Sequence, residues 1–308
     1  MKAIMYHYVR DYDAARPHFR FLDIANFRRQ LDMFAREYGF VTRAEWDAFV
    51  TLGEMPRTPG KIILTFDDAM SCHYTHVFPE LRARGLWGMF YVSTQPYEQG
   101  RMLDVHKVHL LCGTVSGPDL FDRARAMVDE SMIPHARRDA FREATYTTQH
   151  NAPGVTEAKR LLNYFLDEAH RGDVIDALRA EFGLTFDCDA FYVRPEHLRQ
   201  MQAGGMMIGG HTVRHPVMSK LDPAAQGREI TDCLECLDAV CSPPVRSYAH
   251  PYGGFHSFDA ATLAALGDND VAFAFNVEPR DITDLDHQSA RHFLPRHDCN
   301  SFRHGAAS

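Results

Sequence analysis

Ile62-Ile63-Leu64-Thr65-Phe66-Asp67-Asp68 is an apolar run that ends abruptly in two adjacent carboxylates. A short apolar run closed by polar residues reads as a buried strand that delivers its acids at the C-terminal end. Far along the chain, Met206-Met207-Ile208-Gly209-Gly210 repeats the pattern and leads into His211-Thr212-Val213-Arg214-His215, two imidazoles four residues apart. In parallel α/β folds, ligands collect at the C-terminal ends of the strands. Two His and one carboxylate are a facial ligand set for a divalent transition metal and leave positions open for water and substrate. The carboxylate left over is free to act as a base.

Outward from these two segments, strand-like and helix-like stretches alternate, as a parallel β/α fold requires. Strands are expected at residues 3–9, 61–66, 87–93, 206–209, near 247–248, and at 271–277. Helices are expected at 25–38, 44–53, 74–84, 195–203, 224–241 and 258–267. From about 113 to 190 helical stretches dominate, at 120–129, 135–145 and 156–182. That reads as a helical insertion in a single 1–308 domain, and insertions on the C-terminal face are where barrel enzymes vary their selectivity.

The chain has 308 residues, enough for one large α/β barrel or two ordinary domains. Its net charge of −8 and its lack of a long Lys/Arg cluster argue against a nucleic-acid partner. No apolar run reaches the length of a membrane span. The start, Met1 to Val9, is too short in apolar residues for a signal peptide and runs at once into Arg10-Asp11. The seven cysteines show no secreted spacing. These features set the expectation of a cytoplasmic location.

Thr65-Phe66-Asp67-Asp68 and His211-Thr212-Val213-Arg214-His215 closely resemble the first two motifs of the polysaccharide deacetylases, the carbohydrate esterase family 4 or NodB homology group. Tyr248-Ala249-His250-Pro251-Tyr252-Gly253 resembles the third, and the three occur in family order. The resemblance implies a distorted (β/α)7-type barrel and a hydrolase that removes an N-acetyl group from an amino sugar. It implies one divalent metal on Asp68, His211 and His215, with Asp67 as general base. Zn2+ is the first choice, and Co2+, Ni2+ or Fe2+ suit the same ligands. A metal-bound carboxylate is a poor base, which agrees with this division of the two acids.

The chain departs from the family pattern in two places. Ala249 stands where an Arg usually precedes the third motif, and His250 replaces its first Pro. Arg296, in Leu294-Pro295-Arg296, resembles the Arg that some branches use to orient the base, with Arg246 as a second candidate. The usual C-terminal Leu-x-His is reduced to Pro295-Arg296-His297. The resemblance then points to His7, in Met5-Tyr6-His7, as general acid, with His297 and His250 in reserve. Pro251 and Tyr252 resemble the oxyanion-binding turn. His106, in Leu103-Asp104-Val105-His106, is a candidate substrate contact, as is His250. Cys233-x-x-Cys236 lies on an expected helix without a second ligand pair and reads as packing; His73 and His76 read as supporting or surface residues.

The leading expectation is a metal-dependent deacetylase acting on a small or carrier-linked amino-sugar intermediate of a surface polysaccharide such as O-antigen. A deformylase or other N-acyl hydrolase shares the same machinery. A non-catalytic carbohydrate-binding relative and an iron-dependent oxygenase are the rivals from other classes. Sugar, carrier and oligomeric state are not legible in the sequence.

Overall fold

A computed structural model describes residues 1–134, 141–142, 145–146 and 151–307. The chain divides into two compact units: Met1–Asp11, Phe21–Gly100 and Asp189–Ser308 form the first, and Tyr12–Arg20 and Arg101–Cys188 the second.

The strands of the first unit are β1 (Lys2–Tyr6), β2 (Val9–Arg10), β3 (Leu22–Asp23), β4 (Ile62–Asp67), β5 (Met89–Val92), β6 (Met207–Gly210), β7 (Ser247–Ala249), β8 (Phe273–Phe275) and β9 (His297–Asp298). Seven of them form one sheet in the order β8-β7-β6-β5-β4-β1-β9, with every pairing parallel. Leu294, just ahead of β9, bridges in parallel to Phe275 of β8, while β9 pairs with β1. The Leu294 N–H donates to the Ala274 carbonyl at 2.8 Å, and Asn276 N–H donates to the Leu294 carbonyl at 3.0 Å. The segment 294–298 thus joins β8 to β1, and the sheet curls into the parallel barrel that the resemblance implies.

Residue alternation along β4 sorts its two faces. Ile62, Leu64 and Phe66 pack outward with Phe27, Leu31, Phe34 and Leu81 of the surrounding helices. Phe66 is stacked between Tyr6, at 5.1 Å, and Phe90, at 4.7 Å. Ile63 faces the opposite way, with Met89, Tyr91, Phe273 and Phe275. With a side-chain period of two, Thr65 and Asp67 share the inward side of Ile63. Burial on both faces is why the strand reads as a continuous apolar run rather than an alternating one.

The helix Arg43–Leu52 starts at a capping box between Thr42 and Glu45. It delivers the fully buried Trp46 against Phe273, edge-on at 4.9 Å, and Phe275, stacked at 5.9 Å. Among the described residues, no helix is long and apolar enough to cross a membrane.

The second unit is helical. Asp104–Thr114, Gly117–Met127, Val155–Arg160 and Glu168–Glu181 enclose Val108, Leu111, Leu120, Leu162, Ile175 and Leu178. The unit begins at Arg101, ahead of the boundary near 113 expected from the sequence, and takes in Tyr12–Arg20. That excursion is held by His18 N–H to the Gly113 carbonyl at 3.0 Å. A Cβ at position 113 would lie 2.5 Å from the Phe19 ring, so only glycine permits the approach. The long helix expected over 156–182 is broken, because the Asp167 carboxylate caps Ala169 N–H at 2.9 Å and starts a new helix. The expected helix at 135–145 lies largely outside the described residues. The helix expected over 74–84 opens with a wide turn, His73–Val77, before Phe78–Ala83. Pro79 lacks the N–H that regular α-bonding would direct to Thr75.

Trp46 fills the barrel between two strand aromatics, so Trp46→Ala is expected to lower stability by about 3–5 kcal/mol. Urea unfolding followed by circular dichroism measures this; a loss below about 1 kcal/mol would mean the site collapses around the missing ring.

Candidate metal centre and catalytic site

Asp67 is the last residue of β4 and points into the barrel. It is fully buried, and so is Arg296, which enters from the closing segment. Arg296 holds both carboxylate oxygens of Asp67, Nη1 to Oδ1 at 2.7 Å and Nη2 to Oδ2 at 2.8 Å. Its Nη1 also reaches Thr65 Oγ1 at 3.2 Å, and its Nε donates to the Asn276 carbonyl at 3.0 Å. The guanidinium lies over the rings of Phe275, at 5.6 Å, and Tyr91, at 5.9 Å. Burial, the largest single influence, would raise the Asp67 carboxyl; the Arg296 charge and hydrogen bonds, together with the charges of His211 and His7, outweigh it and hold the group below the usual carboxylate range.

Asp68 follows with φ 79°, and Ala69 with φ 48°. Two consecutive left-handed residues turn the chain sharply, so the neighbouring acid does not share the Arg296 pocket. The turn is pinned by Val193 N–H to the Ala69 carbonyl at 2.8 Å and by the antiparallel bridge between Met70 and Tyr192. Asp68 Oδ1 lies 3.5 Å from His211 Nε2 and 3.5 Å from His215 Nε2.

His211 follows β6, and its N–H continues the ladder to the Val92 carbonyl at 2.9 Å. Its Nδ1 lies 2.6 Å from the Ala249 carbonyl. A carbonyl only accepts, so Nδ1 carries the proton and Nε2 presents its lone pair toward Asp68. Burial lowers the imidazole pKa against the opposing pull of Asp67 and Asp68. A neutral ring with its outer nitrogen anchored on a carbonyl is the form in which histidine binds metals. Asp68, His211 and His215 each offer a ligand atom within 4.8 Å of the others, and all three are buried. The donor chemistry of this set therefore fits a divalent cation.

His7 follows β1, half-buried, with Nε2 4.0 Å from Asp68 Oδ2. Its carbonyl accepts from His73 Nε2 at 2.7 Å. Burial pushes the His73 pKa down to about 4, so this ring is a neutral strut. Tyr252 packs its ring edge-on to His215 at 4.8 Å, with φ 62° at Tyr252 and 70° at Gly253. A Cβ at Gly253 would fall 2.3 Å from the Val277 side chain, so the turn following the buried Pro251 requires glycine.

Several candidates named from the sequence lie elsewhere. His297, in register with Ile4 of β1, pairs with Asp281 at 3.0 Å, and Asp281 in turn pairs with Lys2 at the start of the strand. His250 stacks on Phe258 at 3.9 Å and bonds the His292 carbonyl at 2.7 Å. Burial lowers its pKa to about 3. It sits in the packing layer rather than at the ligand set. Arg246 pairs with Asp238 at 2.5 Å. His106 is buried in the second unit, on Asp104–Thr114. Cys233 is buried with its thiol 3.5 Å from the Val92 carbonyl, in keeping with a packing role.

One residue of the site was missed. Glu229, on the helix Pro223–Val240, is buried, and its carboxylate reaches the loop between the two histidines. The available signal was a carboxylate and an amide, Glu229 and Gln226, in the buried stripe with Ile230, Cys233 and Leu237. Polar residues at core-facing positions mark a bonding partner.

A polysaccharide deacetylase family model matches residues 155–274, a span that contains His211, His215 and Tyr252 but not Asp67 and Asp68. A chitooligosaccharide deacetylase of Bradyrhizobium sp. (strain ANU 289) is 32% identical over 113 residues. That match covers 35% of this chain and about half, 51%, of the relative. The fold resembles the Streptococcus pyogenes deacetylase PplD in complex with acetate, with a TM-score of 0.60 at 16% identity over 97% of this chain and 91% of that one. It also resembles the BpsB deacetylase domain from Bordetella bronchiseptica, with a TM-score of 0.53 at 14% identity over 96% and 94%.

Arg296→Met would leave Asp67 buried without its cation, a change expected to cost about 3–5 kcal/mol near neutral pH. The native Asp67 carboxyl is depressed, so its contribution is present above the unfolded value and lost as pH falls through the folded one. In the variant burial raises it instead. The stability gap between the two proteins should therefore widen as pH rises from acid to neutral, measured by denaturant unfolding across pH; a gap that stays constant would argue that Asp67 finds another partner.

Residues 155–274, which carry the two histidines, are similar to the polysaccharide deacetylase family model, and the parallel barrel resembles that of solved deacetylases over nearly the whole length.

Proposed function

We propose that this protein is a metal-dependent carbohydrate N-deacetylase. The observation that carries the reading is the separation of two adjacent carboxylates. Arg296 grips Asp67, while Asp68 faces the lone pair of His211 Nε2 and lies 3.5 Å from His215 Nε2. A divalent cation on Asp68, His211 and His215, with Zn2+ the first choice, would polarise the acyl carbonyl and acidify a water.

Asp67 would take the proton from that water. Arg296 keeps it ionised and fixed in direction, and carboxylate lone pairs not used by the guanidinium remain for the proton. His7 would protonate the departing amine; in support, its Nε2 lies 4.0 Å from Asp68 Oδ2, whereas His297 and His250 bond elsewhere. The Tyr252 turn borders His215 and would donate a backbone N–H to the oxyanion. The substrate proposed is an N-acetylated amino sugar, small or carrier-linked, on the way to a surface polysaccharide such as O-antigen. A cytoplasmic site of action goes with that choice.

The test is release of acetate from a panel of N-acetylated sugars and nucleotide sugars, run with metal analysis of the protein. Acetate release that a chelator abolishes and Zn2+ or Co2+ restores supports the reading. Formate released from the N-formyl counterparts of these sugars, with no acetate from the N-acetyl ones, selects a deformylase, and no binding of metal sinks the reading.

Three variants divide the roles. Asp68→Asn should lose metal and activity together. Asp67→Asn should keep its metal and lose turnover by about 10²–10⁴-fold, the range for a general base. His7→Ala should lower kcat by a comparable factor with metal content intact; unchanged kcat would move the acid elsewhere.

A further inference from the structure

The loop between His211 and His215 is strained and held from outside. Thr212 has φ 66° and His215 φ 57°, left-handed values that a β-branched threonine in particular adopts rarely. Such backbone persists only where its surroundings over-determine it. Thr94 N–H and Gln95 N–H donate to the carbonyls of Thr212, at 3.2 Å, and Val213, at 2.9 Å. Thr212 Oγ1 accepts from His215 N–H at 2.9 Å. The two N–H groups at the loop's apex go to one carboxylate: Glu229 Oε2 accepts from Val213 N–H at 3.0 Å and Arg214 N–H at 2.9 Å. Glu229 Oε1 accepts from Arg214 Nε at 2.5 Å.

We propose that Glu229 is a positioning residue that sets the spacing of the His211 and His215 imidazoles, and through it the affinity for the cation. It approaches no ligand atom itself. It acts as an anion seated in the loop, meeting three donors with both oxygens, and the helix Pro223–Val240 is the rigid post behind it. A glutamine cannot reproduce this, because its NH2 group must face either the two backbone N–H groups or the guanidinium, donor against donor. Groups that orient metal ligands typically change metal affinity 10–100-fold when replaced. The inference rests on the proposed metal centre.

The test titrates Co2+ into metal-free wild type, Glu229→Gln, Arg214→Ala and Gln226→Ala, following the visible absorption of the bound ion. Gln226 is buried in the same helix but bonds Leu221, Asp259 and Thr262, so its variant disturbs the helix without touching the loop. Glu229→Gln should bind Co2+ about 10–100-fold more weakly, Arg214→Ala less so, and Gln226→Ala as wild type does. Wild-type affinity in Glu229→Gln, or an equal loss in Gln226→Ala, would overturn the proposal. Hydrogen exchange on the metal-free proteins supplies a readout that needs no cation. The amides of Val213, Arg214 and His215 should lose protection selectively in Glu229→Gln, and unchanged protection there refutes the role. If Glu229→Gln does not fold, Arg214→Ala carries both measurements. Should wild type bind no Co2+, the metal reading fails, and the exchange data alone decide whether Glu229 holds the loop.

Discussion

The buried ion pair between Arg296 and Asp67 is the interaction around which the first unit is arranged. Neither charge reaches solvent, and each would be costly to bury alone. The pair also ties together elements far apart in the sequence. Asp67 ends β4, Tyr91 lies on β5, Phe275 on β8, and Arg296 sits in the segment that closes the sheet. Well-packed apolar residues could fill such a space at equal or lower cost. What the ion pair adds is a carboxylate held ionised, in one orientation, inside a barrel.

The second constraint is backbone strain at the strand ends. Asp68, Ala69, Thr212, His215 and Tyr252 all carry positive φ without being glycine. Each turn aims a functional group that a regular continuation of its strand would have placed differently. Asp67 and Asp68 are covalent neighbours in different environments because of one such turn. Hydrogen bonds from the N–H groups of Val193, Thr94 and Gln95, and to the Glu229 carboxylate, offset the strain, so the site draws on the β-bridge and helices around the mouth of the barrel.

Much of the arrangement was legible in the residues. The apolar run into Asp67-Asp68 and the glycine-to-histidine run into His211 located two strand ends, and both strands exist within one or two residues of the expected limits. Helix starts were readable where capping chemistry was present, as at Thr42 and Glu45. The long insertion helix was misjudged because Asp167 caps a new helix within an apparently continuous pattern. Tyr12–Arg20 was not separable from the barrel, since it is held to the second unit by contacts about a hundred residues distant.

Residue type and local pattern determined what chemistry is present: two carboxylates at one strand end, two imidazoles at another, and an order of elements that closes a parallel barrel. Those features depend on side-chain period, capping and covalent spacing, all of which act over a few residues. Only the tertiary structure decided which arginine meets Asp67, which histidine lies beside Asp68, and that Glu229 accepts from the loop between His211 and His215. Arg296 is separated from Asp67 by 229 residues and Glu229 from Val213 by 16, and no local preference records such a meeting. Arg246, His250 and His297 are chemically equal to the residues that do reach the site. They differ only in where closure of the barrel leaves them.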